Sequence, residues 1–383
     1  MENYKDILSR TREKLPDYLQ QLEELVRVES PSEDPAAVNA AQQLTAGWAE
    51  ALGARVKRHR QKNFGDVFEL RFGAGSSRTT SRQKLILILG HLDTVWPHGT
   101  LKSMPWINKG GKLSGPGVLD MKAGVVMALT AVAVLKELDL LRPITLLLVS
   151  EEEIGSPISR PITERLAKES SAVFVLEPAQ GLALKTARKG VGHYDLHVTG
   201  VGAHSGVDFE RGHSAVLELA RQIERISTFT DLSRGLTVNP GVISGGTRSN
   251  VIAAEAHVEI DVRIARASDA QKVERIFRSL KPFDKACKLT LTGGINRPPM
   301  ERKPGIVALF KQAKKLAADL GFDLDEASTG GGSDGNFTAA LGVPTLDGMG
   351  AIGAGAHAAH EHILVEHIVP RTALLAAMLA TVD

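Results

Sequence analysis

The chain contains a single cysteine, Cys287, among its 383 residues. A disulfide framework within the chain is therefore impossible, and a reducing, cytoplasmic location is expected. Aromatic residues make up only 4% of the chain, which argues against a surface on which nucleic-acid bases stack. The formal net charge is +2, so the sequence shows no general attraction to nucleic acid or to membranes.

Long hydrophobic runs are also lacking. The longest apolar run, residues 123–135, is shorter than the ~20 residues that a bilayer-spanning helix needs. Residues 1–15 are polar and charged, without the apolar core of a secretory signal. These two absences again favour a cytoplasmic protein with no membrane partner.

What is present is an alternation of apolar runs and helical patterns. The runs 85–89, 144–149 and 172–176 are continuously apolar, as strands of a mainly parallel sheet are when helices cover both faces. Helical spacing follows the first run at 123–138. It also occurs in four outer segments, which are 4–28, 36–52, 306–320 and 369–382. The pattern predicts an α/β domain.

The middle of the chain has a different pattern. Strand-like alternation at 192–200, 237–242 and 254–264 is interleaved with helical segments, and a short strand is predicted at 288–292. The helical segments are 214–226 and 269–280. We predict a small α+β domain at 187–297, inserted into a larger domain formed by 1–186 and 298–383.

Polar groups follow the three predicted parallel strands. His91 and Asp93 come after the first, Glu151 to Glu153 after the second, and Glu177 after the third. Ligands of open α/β sheets bind beyond the carboxyl ends of the strands. Two more groups follow later in the chain: residues 115–122, which contain Asp120 and lie just before the helical segment at 123–138, and the loop 353–357, which ends at His357. This mixture of imidazole and carboxylate suits zinc, with manganese or cobalt as alternatives.

Each of these groups has an ordinary structural interpretation when taken alone. A single histidine is more often packed in a core, an aspartate before a helix is often a cap, and a glutamate triplet is usually solvated. Their recurrence at strand ends favours a metal site. Two ions about 3.5–4 Å apart would offset the clustered charge, polarise a carbonyl and activate water, with a neighbouring glutamate as base.

The order of motifs resembles that of the M20 metallopeptidase family, most closely its glutamate carboxypeptidase (carboxypeptidase G2-like) branch. The matching stretches are GHLDTV (90–95), GPGVLDMKAG (115–124), EEIGS (152–156), LEP (176–178), GVGAHSG (200–206), GGTRSNVI (245–252), DVR (261–263), TGGGSDG (329–335) and GAHAAHE (355–361). The resemblance covers nearly the whole chain.

The resemblance implies a role for each matching residue of the first domain. His91 and Glu177 would bind one of two divalent ions, and Glu153 and His357 would bind the other. Asp120 would bridge both ions, and the peptide bond between Asp120 and Met121 would be cis. Glu152 would be the general base and Asp93 would orient His91. Glu151 falls outside the motif, and we expect it to be solvated or to support the ligands from outside.

The resemblance also implies that the inserted domain is a ferredoxin-like lid through which two chains form a homodimer. His204 would reach the partner's site and stabilise the developing oxyanion. Asn250, Arg263 and Arg297 are candidates for gripping a substrate carboxylate, for which the arginine fork is suited. Gly331 and Gly332 would let the backbone approach the substrate closely.

The expected reaction is hydrolysis of an amide bond next to a free carboxylate, in a small peptide or an N-acyl amino acid. Two alternatives remain open. An aminoacylase- or desuccinylase-type amidohydrolase would use the same residues, and a non-catalytic binding relative would lack a ligand or the base. A phosphate-binding protein is disfavoured because TGGGSDG is not followed by Lys-Ser or Lys-Thr.

Overall fold

The computed structural model describes residues 2–73 and 85–382, with side chains from Tyr4 onward. By its internal contacts the chain divides into two compact units. Unit 1 comprises Met1–Ala187, Arg302–Thr329 and Ser333–Asp383, and unit 2 comprises Arg188–Glu301 and Gly330–Gly332. The sequence pattern places the limits of the inserted domain at 187 and 297, and it leaves the glycine loop at 330–332 in the larger domain.

Strands of both units are numbered in chain order. They are β1 Arg55–His59, β2 Val67–Phe72, β3 Leu85–His91, β4 Ile107–Lys109, β5 Lys112–Ser114, β6 Ile144–Val149, β7 Ser170–Val175, β8 Leu184–Arg188, β9 Gly190–Thr199, β10 Ala203–His204, β11 Thr237–Gly245, β12 Val251–Ile252, β13 Glu255–Ile264, β14 Lys288–Arg297, β15 Glu326–Thr329, β16 Thr345–Leu346, β17 Gly353–Ala354 and β18 His362–Leu364.

The α-helices are numbered in the same way. They are α1 Glu2–Glu13, α2 Leu15–Arg27, α3 Pro35–Ala51, α4 Thr100–Ser103, α5 Ala123–Glu137, α6 Arg160–Lys168, α7 Ala215–Ser227, α8 Ala267–Arg278, α9 Pro304–Asp319, α10 Gly335–Ala340 and α11 Ile368–Thr381.

Unit 1 is built on a six-stranded sheet with the order β1-β2-β6-β3-β7-β16. The strands β6, β3, β7 and β16 are parallel, and β1 and β2 add an antiparallel edge. Alternate residues of β3, β6 and β7 enter two separate apolar clusters, one on each face of the sheet. The prediction of a mainly parallel sheet buried on both faces is confirmed.

Helix α5 is the central core helix of unit 1. Its side chains are apolar around most of its circumference, and twelve of its fifteen residues are buried. The stretch Val118–Glu137 is long and apolar enough to cross a membrane, yet 89% of its most apolar window lies inside the protein. Gly124 allows the start of α5 to pack against the end of β7, because a Cβ there would lie 2.3 Å from the Leu176 carbonyl oxygen.

The predicted helix at 4–28 is wrong in one respect, since two helices occupy this segment. Helix α1 ends at Glu13, and α2 begins at Leu15 with Pro16 in its first turn. Proline has no backbone N–H and is accommodated in the first turn of a helix, so it favours a new helix start over continuation.

Unit 2 contains a four-stranded antiparallel sheet with the order β11-β13-β9-β14. In chain order its elements run β9, α7, β11, β13, α8 and β14, which is the ferredoxin-like arrangement. One face of the sheet is apolar and packs with α7 and α8 around Tyr194 and Phe277, whose rings stack 4.3 Å apart. The predicted α+β unit is therefore present as a ferredoxin-like domain.

Candidate metal centre and active site

Three neighbouring strands of unit 1 end at the same edge of the sheet. His91 is the last residue of β3, Glu153 lies just beyond β6, and Glu177 lies just beyond β7. Strand β3 is paired in parallel with both β6 and β7, so their carboxyl ends adjoin. The sheet topology thus brings together residues that are far apart in sequence.

Two loops complete this cluster. Asp120 lies in the turn Val118–Lys122 that precedes α5, and the Asp120–Met121 peptide is cis, as predicted. His357 follows β17 and has a positive φ of 60°. The loop after β17 therefore places its imidazole through a backbone conformation that few non-glycine residues adopt.

The five candidate ligands form two triplets that share Asp120. In the first, His91 Nε2 lies 3.2 Å from Asp120 Oδ1 and 3.6 Å from Glu177 Oε1. In the second, His357 Nε2 lies 3.3 Å from Asp120 Oδ2 and 3.2 Å from Glu153 Oε2. Each triplet offers one imidazole and two carboxylates, and Asp120 gives a different oxygen to each.

These separations fit a metal ion in each triplet. Ligands held 2.0–2.2 Å from a tetrahedral zinc ion lie roughly 3.3–3.6 Å from one another. The imidazole–carboxylate distances in the two triplets, 3.2 to 3.6 Å, fall close to that range. The residues present therefore suit two cations bridged by one carboxylate.

The clustered carboxylates raise the pKa values of both histidines, because a positive charge is stabilised beside them. Hydrogen bonds to Asp120 and Glu153 raise the pKa of His357 to about 10. Burial alone would lower the pKa of His91. Its hydrogen bonds to carboxylates outweigh this effect and raise the pKa well above the ordinary value, and the bond to Asp120 contributes most. Without cations, protons on the two imidazoles balance the carboxylates.

The pKa values of Asp120 and Glu153 shift in opposite directions. Burial would raise the pKa of Asp120, yet hydrogen bonds from His357 and His91 outweigh it and hold that pKa well below the usual range. Burial dominates at Glu153 and raises its pKa, aided by the negative charge of Asp120. Asp120 is thus the carboxylate best suited to remain ionised between two positive groups.

Asp93 supports the cluster in a way that differs from the expectation. His91 Nδ1 lies 2.9 Å from the main-chain carbonyl oxygen of Asp93 and 3.5 Å from its carboxylate. The carboxylate instead accepts hydrogen bonds from the amides of Glu152 and Glu153, at 3.2 and 3.1 Å. Ser32 Oγ donates to it as well, at 2.8 Å. Asp93 therefore orients the histidine through its backbone and the glutamate turn through its side chain.

Glu152, the predicted general base, lies beside two residues of the first triplet. It is half-buried and lines a small cavity together with His91, Met121, Glu177 and Asp334. Because it lines the same cavity as His91 and Glu177, Glu152 remains the candidate for the general base, and that role stays a prediction.

Of the two expectations for Glu151, the structure excludes a solvated side chain and agrees with one that supports the ligands from outside. Its side chain is fully buried and accepts four hydrogen bonds. Ser150 donates through its amide at 3.1 Å and its hydroxyl at 2.7 Å, and the amides of Ile158 and Ser159 donate at 3.1 and 2.7 Å. Glu151 therefore ties the turn that carries Glu152 and Glu153 to the start of α6.

Glu361 is a further residue of the site to which no sequence pattern assigned a role, although it ends the GAHAAHE motif. Its carboxylate is fully buried. It accepts hydrogen bonds from the amides of Gly117, Leu119 and Asp120 at 3.1, 2.8 and 3.1 Å, and from Trp96 Nε1 at 2.9 Å. Its burial raises its pKa. Glu361 thus fixes the loop that presents Asp120.

Unit 2 carries the remaining candidates, two of which lie on adjoining segments. His204 ends β10, which pairs with β12, and the Asn250 carbonyl oxygen accepts a hydrogen bond from the Ser205 amide at 3.0 Å. Both residues are exposed. His204 Nδ1 accepts a hydrogen bond from the Gly206 amide at 3.2 Å, which restrains the ring.

Arg263 and Arg297 have different surroundings. The guanidinium of Arg263 forms a two-pronged ion pair with Asp261, with both contacts at 2.9 Å. Arg297 is buried, and a Cβ on Gly332 would lie 2.7 Å from its Cδ. Gly331 and Gly332 each accept a hydrogen bond from Arg188 Nη1, at 3.1 and 3.0 Å. Unit 2 therefore brings Arg297 and the two glycines together, with Arg188 as an additional neighbour.

Comparison with known proteins gives a consistent result. The family model of peptidase family M20/M25/M40 matches residues 87–381. Carboxypeptidase G2 of Pseudomonas sp. strain RS-16 is 29% identical over 377 residues, which are 95% of this chain and 88% of that protein.

Two solved structures share the fold. Aminopeptidase PepT of Bacillus cereus superposes with a TM-score of 0.75 at 21% identity, covering 96% of this chain and 98% of its own. The YxeP protein of Bacillus subtilis, described as a dinuclear metal-binding peptidase, has a TM-score of 0.67 at 14% identity, with coverage of 96% and 98%. With the family match over most of its length, the chain belongs to peptidase family M20/M25/M40 and is a metallopeptidase or amidohydrolase.

Proposed function

We propose that the protein is a dinuclear metal-dependent hydrolase that cleaves an amide bond next to a free carboxylate. The observation that carries this proposal is the position of Asp120, whose two oxygens each face a separate pair of imidazole and carboxylate groups. The dinuclear description of the YxeP protein and the name of the carboxypeptidase relative support it.

In this proposal His91 and Glu177 hold one ion, Glu153 and His357 hold the other, and Asp120 serves both. Zinc suits the mixture of imidazole and carboxylate, with manganese or cobalt as alternatives. When bound by these residues, two such ions would supply the Lewis acidity that polarises a carbonyl and lowers the pKa of water.

Glu152 takes the proton of the attacking water and later delivers it to the leaving amine, which one carboxylate can do in succession. Asp93 keeps Glu152 in place because its carboxylate accepts the Glu152 amide hydrogen bond. Glu151 and Glu361 hold the two loops on which the base and Asp120 lie.

For the substrate we propose a small peptide or an N-acyl amino acid with a free carboxylate, to be gripped by Asn250 and Arg263. Arg297 and the Gly331-Gly332 backbone are further candidates. Arg263 already binds Asp261 in a bidentate manner, so a substrate carboxylate would have to share or displace that partner. The competing aminoacylase- or desuccinylase-type reaction uses the same catalytic residues and differs in the acyl group.

A substrate panel tests the proposal. Zinc-loaded protein is assayed against dipeptides, peptidyl-glutamates, N-acetyl and N-succinyl amino acids, and matched C-terminal amides. We expect hydrolysis only where the carboxylate is free, and loss of activity after chelation. Equal cleavage of the C-terminal amides, or full activity in metal-free protein, would refute the proposed reaction. Absence of turnover on the whole panel by metal-loaded protein would favour the binding-protein alternative.

We further propose that the protein forms a homodimer through unit 2. Strand β11 is an edge strand of the sheet and exposes Val242 and Ile243, which are 54% and 62% accessible. The neighbouring helix α7 exposes Val216 and Leu217 in its first turn. Exposed apolar side chains on an open sheet edge are typical of a surface that pairs with another chain.

Mixing two inactive variants tests both the dimer and the proposed role of His204 in the partner's site. Glu152→Gln and His204→Ala should each be nearly inactive alone. After mixing and subunit exchange, about a quarter of the sites should be restored, because half of the dimers are mixed and each holds one complete site. No recovery, with exchange verified by mass, would show that His204 does not act across the dimer.

A further inference from the structure

The sheet of unit 2 has a polar face that carries a concentrated group of histidines and carboxylates. Along β9 and β13 every second residue is buried, and those residues pack with α7 and α8. The alternate residues point to the opposite face. They include His193, Asp195 and His197 on β9, and His257 and Glu259 on β13.

The register of the two strands brings these side chains into contact. His257 lies opposite His197, and Glu259 lies opposite Asp195. His257 Nε2 is 3.0 Å from Asp195 Oδ1, and His193 Nε2 is 3.4 Å from Asp195 Oδ2. One ligand atom from each of Asp195, His257 and Glu259 lies within 4.8 Å of the other two.

The carboxylates on this face are unequally partnered: Asp195 contacts two imidazoles, whereas Glu259 contacts none that the structure describes. Asp195 and Glu259 face each other directly across the strands, and like charges in that position destabilise a sheet. Arg263, on the same face, is already paired with Asp261. Within residues 2–73 and 85–382, the Glu259 carboxylate forms no hydrogen bond or ion pair. A bound cation would remove this repulsion.

We propose that this face binds one divalent transition-metal ion, zinc or a cation of similar ligand preference, through His257 Nε2, Asp195 and Glu259. The mixture of imidazole and carboxylate is the one that zinc accepts, and the three candidate donor atoms already lie within 4.8 Å of one another. His193 offers an additional imidazole, since its Nε2 lies 3.4 Å from Asp195 Oδ2. All of these residues belong to unit 2, and none belongs to the Asp120 cluster.

Such an ion joins β9 to β13 through side chains, in addition to the backbone ladder. Because metal bound to the folded state stabilises it by mass action, zinc would raise the melting temperature of the protein through this site. The groove beside His257 and His197, bounded by Ser244 and Gly246, leaves the ion accessible from solution.

The test is zinc stoichiometry at fixed free zinc, measured by equilibrium dialysis and elemental analysis. The double variant Asp195→Asn, His257→Gln should bind one zinc ion fewer per chain than the parent protein. His213→Gln is the matched control, since His213 and Asp284 form a similar half-exposed pair at 2.8 Å, and the described part of the chain adds no third ligand to it. It should bind as much zinc as the parent.

Equal zinc content in the parent and in the double variant would overturn the proposal, because the ion would then lie elsewhere or not exist. The single variant Glu259→Gln provides an independent measurement if the double variant fails to fold. It should lower the affinity for zinc at the same site. Cobalt substitution adds a spectroscopic readout, since loss of these ligands should remove one set of visible absorption bands. The comparison is a difference of one ion, so it holds whether or not the Asp120 cluster also binds metal.

Discussion

The carboxylate of Glu361 accepts a hydrogen bond from the main-chain amide of Asp120, the residue shared by both candidate metal triplets. The same oxygen accepts the Leu119 amide, and the other oxygen accepts the Gly117 amide and Trp96 Nε1. One buried side chain thus shapes the whole loop that precedes the cis peptide.

Glu361→Gln should therefore weaken metal binding without removing a ligand. The amide nitrogen of glutamine would face two N–H donors where the carboxylate offered an acceptor. We expect metal affinity to fall by about 10–100-fold, as is typical for partners that support ligands from outside. Glu366→Gln is the control, because that side chain is 77% exposed and should leave affinity unchanged. Unaltered metal titrations of Glu361→Gln would contradict the positioning role.

Glu152→Gln should separate catalysis from metal binding. Glutamine keeps the size of the side chain but cannot accept the proton of the attacking water. Turnover should fall by ~10²–10⁴-fold while both ions and substrate affinity are retained. Metal analysis and steady-state kinetics on the same preparation provide the measurement. A variant that loses metal along with activity would identify Glu152 as a ligand.

Glu151→Gln should affect stability, because four donors converge on that buried carboxylate. Replacing one carboxylate oxygen by an amide nitrogen places an N–H donor against the N–H and O–H groups that now donate to Glu151. The unsatisfied buried groups should lower the free energy of unfolding by roughly 1–3 kcal/mol. Urea unfolding of metal-free protein measures this cost. Glu169→Gln, at an exposed ion pair with Arg165, should change stability little. An unaltered unfolding midpoint for Glu151→Gln would disprove its structural role.

Metal affinity should rise with pH through the neutral range. The metal-free protein holds His357 with a pKa of about 10, so its imidazole is protonated at pH 7 and the incoming ion must displace that proton. Binding therefore releases protons, and affinity gains about tenfold per pH unit for each proton released. Calorimetry at pH 6 and pH 8 in buffers of different ionisation heat measures both effects. The same slope is expected for His98→Gln, whose ring pairs with Asp34 instead.

Proton release that is absent at both pH values would show that His357 binds no metal. A smaller pH slope in His357→Gln, together with weaker binding of a single ion, is the complementary result expected, because the proton on His91 is still displaced.

The sequence by itself determined the alternation of apolar runs and helices, the inserted α+β domain and, through its motifs, the resemblance to the family. These follow from local periodicity and from short motifs, which are readable along the chain. It also placed five candidate ligands at the ends of strands or in loops. Parallel strands bring their carboxyl ends to one edge of the sheet, so the strand-end ligands were expected to lie close together. The five are His91, Asp120, Glu153, Glu177 and His357.

Only the tertiary structure decided the roles of Glu151 and Glu361. A run of three glutamates shows no sign of which one is buried, because that depends on the amides of Ile158 and Ser159 folding back onto it. Glu361 meets Asp120 across 241 residues, a separation that no local pattern can bridge. The group formed by Asp195, His257 and Glu259 likewise arises from strand register, since a shift of one residue would send those side chains to the opposite face.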